Sequence, residues 1–600
     1  MVKKVLRVLV VLSICAAVLL FTPGLIDLIT NGVSEGPLDL GDSTLNRTEI
    51  HFEDTDPTWV VPTANYVNLQ NDKIEFDGLG ATLSDDRRTL TVTREGTYVI
   101  SGKIDDGQIL VDVLRGDVHL VLNGADMHCS WSAPIYIKQS GEIRISVEAG
   151  TENFLSDTKN TVVDEFGDPS AVIYSADDLV LCGTGSLTVD GHYRDGIHCS
   201  NRLTVADVTL DVTAPEDGIV GRDALLIRNA TVTVDSGIDA LKSNNYEPGF
   251  GYIYIASGTF DLTAENDGIQ AEQRMLIDGG DFHIEAGDGY TYVPDTLISQ
   301  KGLKSGSELV IRGGSFFVNT TDDALHCDGL LSVAGGELTL YSGDDALSGK
   351  NVAIRGGSTR AASSVQGLVG EIIHISGGAL SLTAQDDGIL ARPAHLPTDN
   401  GFTIYPDNIA GDVYVELSVS GGLVTVHSEG DSLDIRGELK MSGGFVMLNA
   451  PFMKGGDPLD YDGKFTMTGG TMVTTGRATY KPTMPEGDSA CILDAAFTGV
   501  RPAGEMLSLR LGDGRLLFAV TPTEDYYNFA VYSCEFGVGS VCSLMAGGMP
   551  TAEEVFGVSL GGDITGAVTL STFSVNARTV ELVSRAEAPI PDKFPEEPIL

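Results

Sequence analysis

The sequence predicts an all-β chain: a right-handed parallel β-helix, a solenoid of coils of about 22 residues, with a small C-terminal antiparallel β domain. Three observations carry that prediction. An acidic phrase recurs at a near-constant step, DDAL at Asp322 to Leu325 and again at Asp344 to Leu347. Two places after the start of every phrase stands an Ile or a Leu. Between phrases run segments of alternating apolar residues broken by a Gly pair.

Aligned on the phrase, the starts fall at Asp195, Asp217, Asp239, Asp267, Lys301, Asp323, Asp345, Gln366, Asp387, Asp431 and Asp457. Most steps are 21 or 22 residues, and the longer ones mark insertions. A fixed period of this size is the signature of a repeat architecture. The next position holds only Gly, Ala, Ser or Pro, and the one after it runs from Ile197 and Ile219 through Leu325 and Leu347 to Leu459, a core ladder. Gly pairs stand at 313–314, 335–336, 356–357, 377–378, 421–422, 443–444 and 469–470. Period-two alternation punctuated by Gly means short strands and tight turns. Such a unit cannot bury its apolar face alone, so neighbours must stack. Leucine-rich repeats share the length, but their LxxLxLxxN frame is missing.

The other segments follow in order. Residues 1–30 carry Lys3, Lys4 and Arg7 ahead of an apolar run from Val8 to Phe21, which reads as a signal peptide, with an uncleaved membrane anchor as the alternative. Either one puts the bulk of the chain outside the cytoplasm, secreted or on the cell surface. Residues 45–190 show strands without the full phrase and read as N-terminal capping coils; 191–480 are the regular helix. Residues 485–585 read as the small β domain, and 586–600 as a disordered Pro/Glu tail. Seven cysteines beyond Cys15 include no CxxC pair, and Cys534 with Cys542 is the one disulfide the spacing suggests. With 84 acidic against 38 basic residues, the net charge of −46 excludes nucleic acid and anionic lipid as direct partners.

In a parallel β-helix each residue lies above its counterpart one coil on, about 4.8 Å away. The Asp column is therefore a stack of carboxylates, repelling by roughly 1 kcal/mol per neighbour even in bulk water. Raised pKa values, inserted basic residues or bound cations would offset this. Lys301 is an inserted base. For the doubled phrases Asp322/Asp323, Asp344/Asp345 and Asp386/Asp387 no Lys or Arg shares the column, and calcium, which takes six to eight oxygens in flexible geometry, fits best. The candidate ligands are these six with Asp239, Asp267, Asp431, Asp434, Asp457 and Asp460. The alternative is that each Asp accepts N–H groups of its own turn.

Three places after each start a second column turns polar and basic at Lys242, Gln270, Lys304 and His326, a seat for uronic-acid carboxylates beside calcium. The plainer reading pairs these side chains with neighbouring Asp. Insertions add Tyr246, Phe250, Tyr290, Tyr292, Phe402 and Tyr405, whose flat faces suit sugar rings. The candidate substrate-binding residues are thus Lys242, Lys304, His326, Tyr246, Tyr290 and Tyr292.

The phrases GTYVISGKIDDGQI, GTENFLSD, DGIQAE, KGLKSG, DDALHCDG, DDALSGKN, DSLDIRG and PLDYDG, in that order, cover roughly residues 90 to 535. Together they resemble a family of secreted bacterial carbohydrate-binding proteins of the calcium-containing parallel β-helix type. The resemblance implies binding of cellulose-like and acidic, pectin-like polysaccharide, calcium in the acidic stack, and a fold related to pectate lyases. Where the family is expected to carry Glu in a phrase like YEGLEG, this chain reads VQGLVG, which weighs against calcium between the Asp345 and Asp387 coils. Three functions compete: a non-catalytic polysaccharide binder, a calcium-dependent lyase using Lys242 or Lys304 as base, and a structural surface adhesin.

Overall fold

The computed structural model describes residues 50, 52–53, 55–60, 63–158, 169–295, 297–393, 398–399, 402–403, 413–452 and 455–582. The N-terminal segment 1–30, the tail 586–600 and Tyr405 lie outside them, as does the side chain of Phe402. Among the described residues there is no α-helix, and the architecture is the expected β-solenoid, about 14 turns with coils of about 24 residues. Coils exceed the 22-residue step because the insertions and the N-terminal coils lengthen the mean.

Each coil contributes three strands to three parallel sheets. In one coil these are Asp195–Cys199, Arg202–Ala206 and Thr209–Ala214; in the next, Ile219–Gly221, Ala224–Arg228 and Ala230–Ser236. They pair in register, Ile197 on Ile219, Leu203 on Leu225 and Leu210 on Val232. The Ile/Leu ladder lies inside, fully buried from Ile197 to Leu433. In the third sheet Phe260, Phe282 and Phe316 stack with ring centroids 4.5 and 4.4 Å apart, so identical side chains pack on themselves at the coil repeat.

The Gly pairs have two separate causes. At the first position a Cβ would strike the preceding coil, as at Gly356, where it would lie 2.5 Å from the Ala334 carbonyl oxygen. The second position is left-handed, Gly357 having φ +77°, a region that costs any other residue strain.

Parallel stacking begins in the N-terminal region, where Asn65–Asn71 pairs with Gly96–Ile104 and that strand with Val118–Cys129. Ahead of it, residues 50, 52–53 and 55–60 lie across the outer face of the second sheet. Ile50 packs with Leu226, Leu276 and Val310, Glu53 meets Arg202 at 3.3 Å, and Trp59 Nε1 donates to Glu148 at 2.8 Å.

At the other end Phe465–Gly476 pairs antiparallel with Tyr526–Ser533, which pairs antiparallel with Cys491–Arg501. The C-terminal region thus continues the third sheet with reversed strands and adds a separate five-stranded antiparallel sheet. The suggested Cys534–Cys542 disulfide is not formed. Cys542 is buried in the five-stranded sheet's core, whereas Cys534 packs at the edge of the solenoid core.

Candidate functional site: the acid column and its flank

The first sheet's strands are as short as three residues, so Leu241 and Ser243 point inward and only Lys242 points out. The turn before each strand holds the Asp. Its Oδ1 accepts the backbone N–H of the next coil: Asp217 N donates to Asp195 at 3.3 Å, Asp239 N to Asp217 at 3.1 Å and Asp267 N to Asp239 at 3.0 Å. Lys301 N donates to Asp267 at 2.9 Å, Asp345 N to Asp323 at 3.1 Å, Asp431 N to Asp387 at 2.9 Å and Asp457 N to Asp431 at 2.6 Å. Gln366 keeps the pattern, its Oε1 accepting from Asp387 N at 3.0 Å. These donors come from the following coil, except that Asp323 N donates to Asp322 Oδ1 of its own turn at 2.8 Å. Asp recurs because it satisfies a buried donor that no strand reaches.

The second carboxylate oxygen is left for a counter-charge, and here the column divides. In its first part the outward position three residues on supplies one. His198 Nδ1 lies 2.8 Å from Asp195 Oδ2, while Arg194 instead stacks on Tyr193. Lys242 Nζ bridges Asp217 at 2.9 Å and Asp239 at 2.8 Å, and Lys304 Nζ meets Asp267 at 3.2 Å. Lys301 bonds Asp322 and lies 3.4 Å from Asp323, which His326 Nδ1 also meets at 2.7 Å. The doubled phrase at Asp322/Asp323 therefore does have a basic partner, donated from the coil before. Burial acts against the charge of Lys242, but Asp239 and Asp217 more than offset it and raise its pKa. For His326 burial is likewise outweighed, by Asp323 and Asp328, and its pKa rises to about 9. Asp323 is held below the usual range, burial being overcome by His326 and Lys301. Burial still lifts Asp239 to about 6.

Beyond Asp323 the outward column reads Ser348, Val369, Leu390, Asp434 and Asp460, and the cations stop. Burial followed by the charges of Asp323 and Asp322 pushes Asp344 up to about 6. Asp345 is raised well above the ordinary value by burial, Asp323 and Asp344. Asp387 rises to about 6 through burial with Asp386 and Asp431, and Asp434 to about 6 through burial with Asp387 and Asp460, against Arg436. Asp386 accepts from Gln366 Nε2 at 2.9 Å, and Asp457 pairs with Arg477 at 2.8 Å. Asp434 Oδ1 and Asp457 Oδ1 are buried with no hydrogen-bond partner, and Asp460 is exposed. Carboxylate oxygens of Asp322, Asp323 and Asp344 lie within 4.8 Å of one another. An all-oxygen donor set of this kind fits calcium.

The aromatic candidates separate. Tyr290 and Tyr292 sit on the insertion that folds back over the column, forming a cavity of about 590 Å³ with Gly343, Asp344, Val365 and Gln385. Tyr246 stands apart in another loop, 72% exposed, its carbonyl accepting from Gln273.

Residues 86–346 match a family model. That family is described as carbohydrate-binding domain-containing protein. A protein of that description from Acetivibrio thermocellus is 37% identical over 149 residues, 24% of this chain and 52% of the relative. The chain thus spans about half the length of the curated relative it matches. Among solved structures, one titled a polysaccharide lyase-like protein from C. thermocellum, as a gadolinium derivative, is 28% identical, covering 46% of this chain and 99% of that one, with a TM-score of 0.37.

Two groups of surface residues were not among the sequence candidates. Tyr136 and Tyr174 precede His198 in the outward column, with ring centroids 5.7 and 5.4 Å apart in turn. The tyrosines of IYIKQ and VIYSA were the signal, hidden because those coils lack the acidic phrase. On the second sheet Lys440 bonds Tyr414, Glu416 and Glu438, and His374 meets Glu416 at 3.2 Å.

Proposed function

We propose that the protein is a non-catalytic binder of polysaccharide, cellulose-like or acidic and pectin-like, held outside the cytoplasm on a calcium-stabilised β-solenoid. The carbohydrate-binding description of the family matched by residues 86–346 supports the ligand class. The observation that carries the choice against a lyase is the state of the lysines. A base that removes an α-proton must be neutral and free to reach substrate, but Lys242 is clasped by two carboxylates that raise its pKa, and Lys304 is paired with Asp267. Calcium would be held by Asp344 and Asp345 with Asp322 and Asp323, and by Asp387, Asp431 and Asp434, where carboxylates outnumber protein cations. Bound there, it would supply the positive charge that the outward column stops providing. Asp239 and Asp267 have their own ammonium partners.

The test is retention of the full chain on a glycan array with calcium and with chelator, read beside ultraviolet absorbance for unsaturated uronate. Retention without absorbance is expected, even at alkaline pH where a Lys base would be neutral. Absence of retention, or calcium-dependent absorbance lost in Lys242→Ala or Lys304→Ala, would overturn the proposal.

A further inference from the structure

The cavity beneath the insertion is a built feature. Asp288 N donates to Thr321 Oγ1 at 2.8 Å and Tyr290 N to Asn319 Oδ1 at 3.0 Å, while the Tyr290 ring rests 5.2 Å from that of Tyr341. A Cβ on Gly343 would lie 2.8 Å from the Tyr292 carbonyl oxygen, so the loop presses on the coil corner at a position that only glycine allows. The loop is thus fixed over the turn that carries Asp344.

The walls say what the cavity can hold. Tyr292 is 57% exposed and Val293 89%, an apolar flank left open to solvent. The lining also includes Asp344 and Gln385, with Thr291 on the loop. These groups accept and donate hydrogen bonds to hydroxyls, and a flat phenol ring suits the apolar face of a pyranose. The volume of about 590 Å³ lies in the range of small-molecule sites. Among the described residues the lining contains no Lys, Arg or His. Asp344 itself stands among the carboxylates of Asp322, Asp323 and Asp345; the charges of Lys301 and Arg392 act on it from beyond the wall. Without calcium, a uronate carboxylate placed here would meet like charge, with no cation among the described lining residues to receive it.

We infer that this cavity is a subsite for an uncharged pyranose unit of a glycan, stacked on Tyr292 and hydrogen-bonded by Asp344 and Gln385, and that without calcium it rejects uronates. This rests on the polysaccharide-binding reading and narrows its ligand at this site in the calcium-free protein.

The experiment titrates the full chain by calorimetry with a cello-oligosaccharide and with an oligogalacturonate of equal length, in calcium and in chelator. The parent should bind the neutral oligosaccharide in both conditions and, in chelator, the acidic one more weakly. Tyr292→Ala should weaken neutral binding about tenfold, with Gln385→Ala weakening it less, and neither should move the melting temperature, since both side chains are exposed. Leu114→Ala, at an exposed turn of an N-terminal coil, should change nothing. Undiminished neutral binding in Tyr292→Ala, with retention on polysaccharide intact, would overturn the subsite while leaving the polysaccharide-binding reading in place. Tighter binding of the oligogalacturonate in chelator, lost in Tyr292→Ala, would overturn the neutral assignment. A parent that binds neither oligosaccharide and no polysaccharide would sink the subsite and the broader reading together.

Discussion

The coils from Asp195 to Asp323 and those from Asp344 to Asp460 share one backbone device and differ in how its charge is balanced. In both, a carboxylate oxygen caps the next coil's N–H. In the first, His198, Lys242, Lys304 and His326 stand in the column three places on, interleaved with Val220 and Gln270, and each carboxylate has a basic partner from its own or a neighbouring coil. In the second that position is Ser348, Val369, Leu390, Asp434 or Asp460, and raised carboxyl pKa values accumulate. A repeat conserving its hydrogen bond need not conserve its electrostatics. The region whose outward column holds no cation is also the one roofed by the aromatic insertion.

The largest effect expected from breaking this contrast is in the first region. Lys242 is only 16% exposed in its side chain between two more deeply buried carboxylates, so Lys242→Met strands both and should cost about 3 kcal/mol. The denaturant midpoint should fall, and calcium should not restore it; full rescue by calcium would erase the distinction between regions. In the second region, Asp345→Asn should remove most of the calcium-dependent gain in stability, about 2.7 kcal/mol at calcium near one hundred times Kd. Asp195→Asn should keep that gain. A loss of the same size in both would mean that calcium does not choose the coils lacking cations.

Acidity should stabilise both regions, but over different pH windows. Asp344, Asp387 and Asp434 are raised to about 6 in the folded chain, so above that pH their ionisation opposes folding. Protonation relieves the strain as pH falls from about 6 toward the unfolded value near 4. Metal-free protein should therefore melt higher near pH 5 than near pH 7, and calcium should flatten the difference. His326, raised to about 9, contributes stability that is complete below its unfolded pKa near 6.5 and is lost as pH rises through about 9. His326→Gln should remove that alkaline loss. The smallest effect is that of Tyr246→Ala, an exposed loop residue, which should alter stability by less than about 0.5 kcal/mol.

The repeat was legible because its register is written in residue type. The Ile/Leu ladder, the small column and the Gly pairs each report a steric demand that one sequence displays many times over. The role of Asp was only half legible. Its spacing placed the stack, but the donor it accepts from belongs to a residue 22 or more positions away. Lys301 was recognised as an inserted base, yet its grip on Asp322 depends on reach across a coil. Tyr136 and Tyr174 escaped notice because their coils lack the phrase that sets the alignment. Residues 50–60 carry no repeat, and their contacts with Leu226, Leu276 and Val310 arise only from folding back. That Tyr290 and Tyr292 meet Asp344 while Tyr246 does not depends on how the loops fold, which their similar composition does not specify.

The most direct measurement is calorimetric titration of calcium into the metal-stripped full chain, in parallel with Asp345→Asn and Asp239→Asn. Saturable binding is predicted for the parent and for Asp239→Asn, whose position is served by Lys242, with a marked loss in Asp345→Asn. No binding by the parent, or equal loss in both variants, would contradict the claim that calcium replaces the cations the later coils lack.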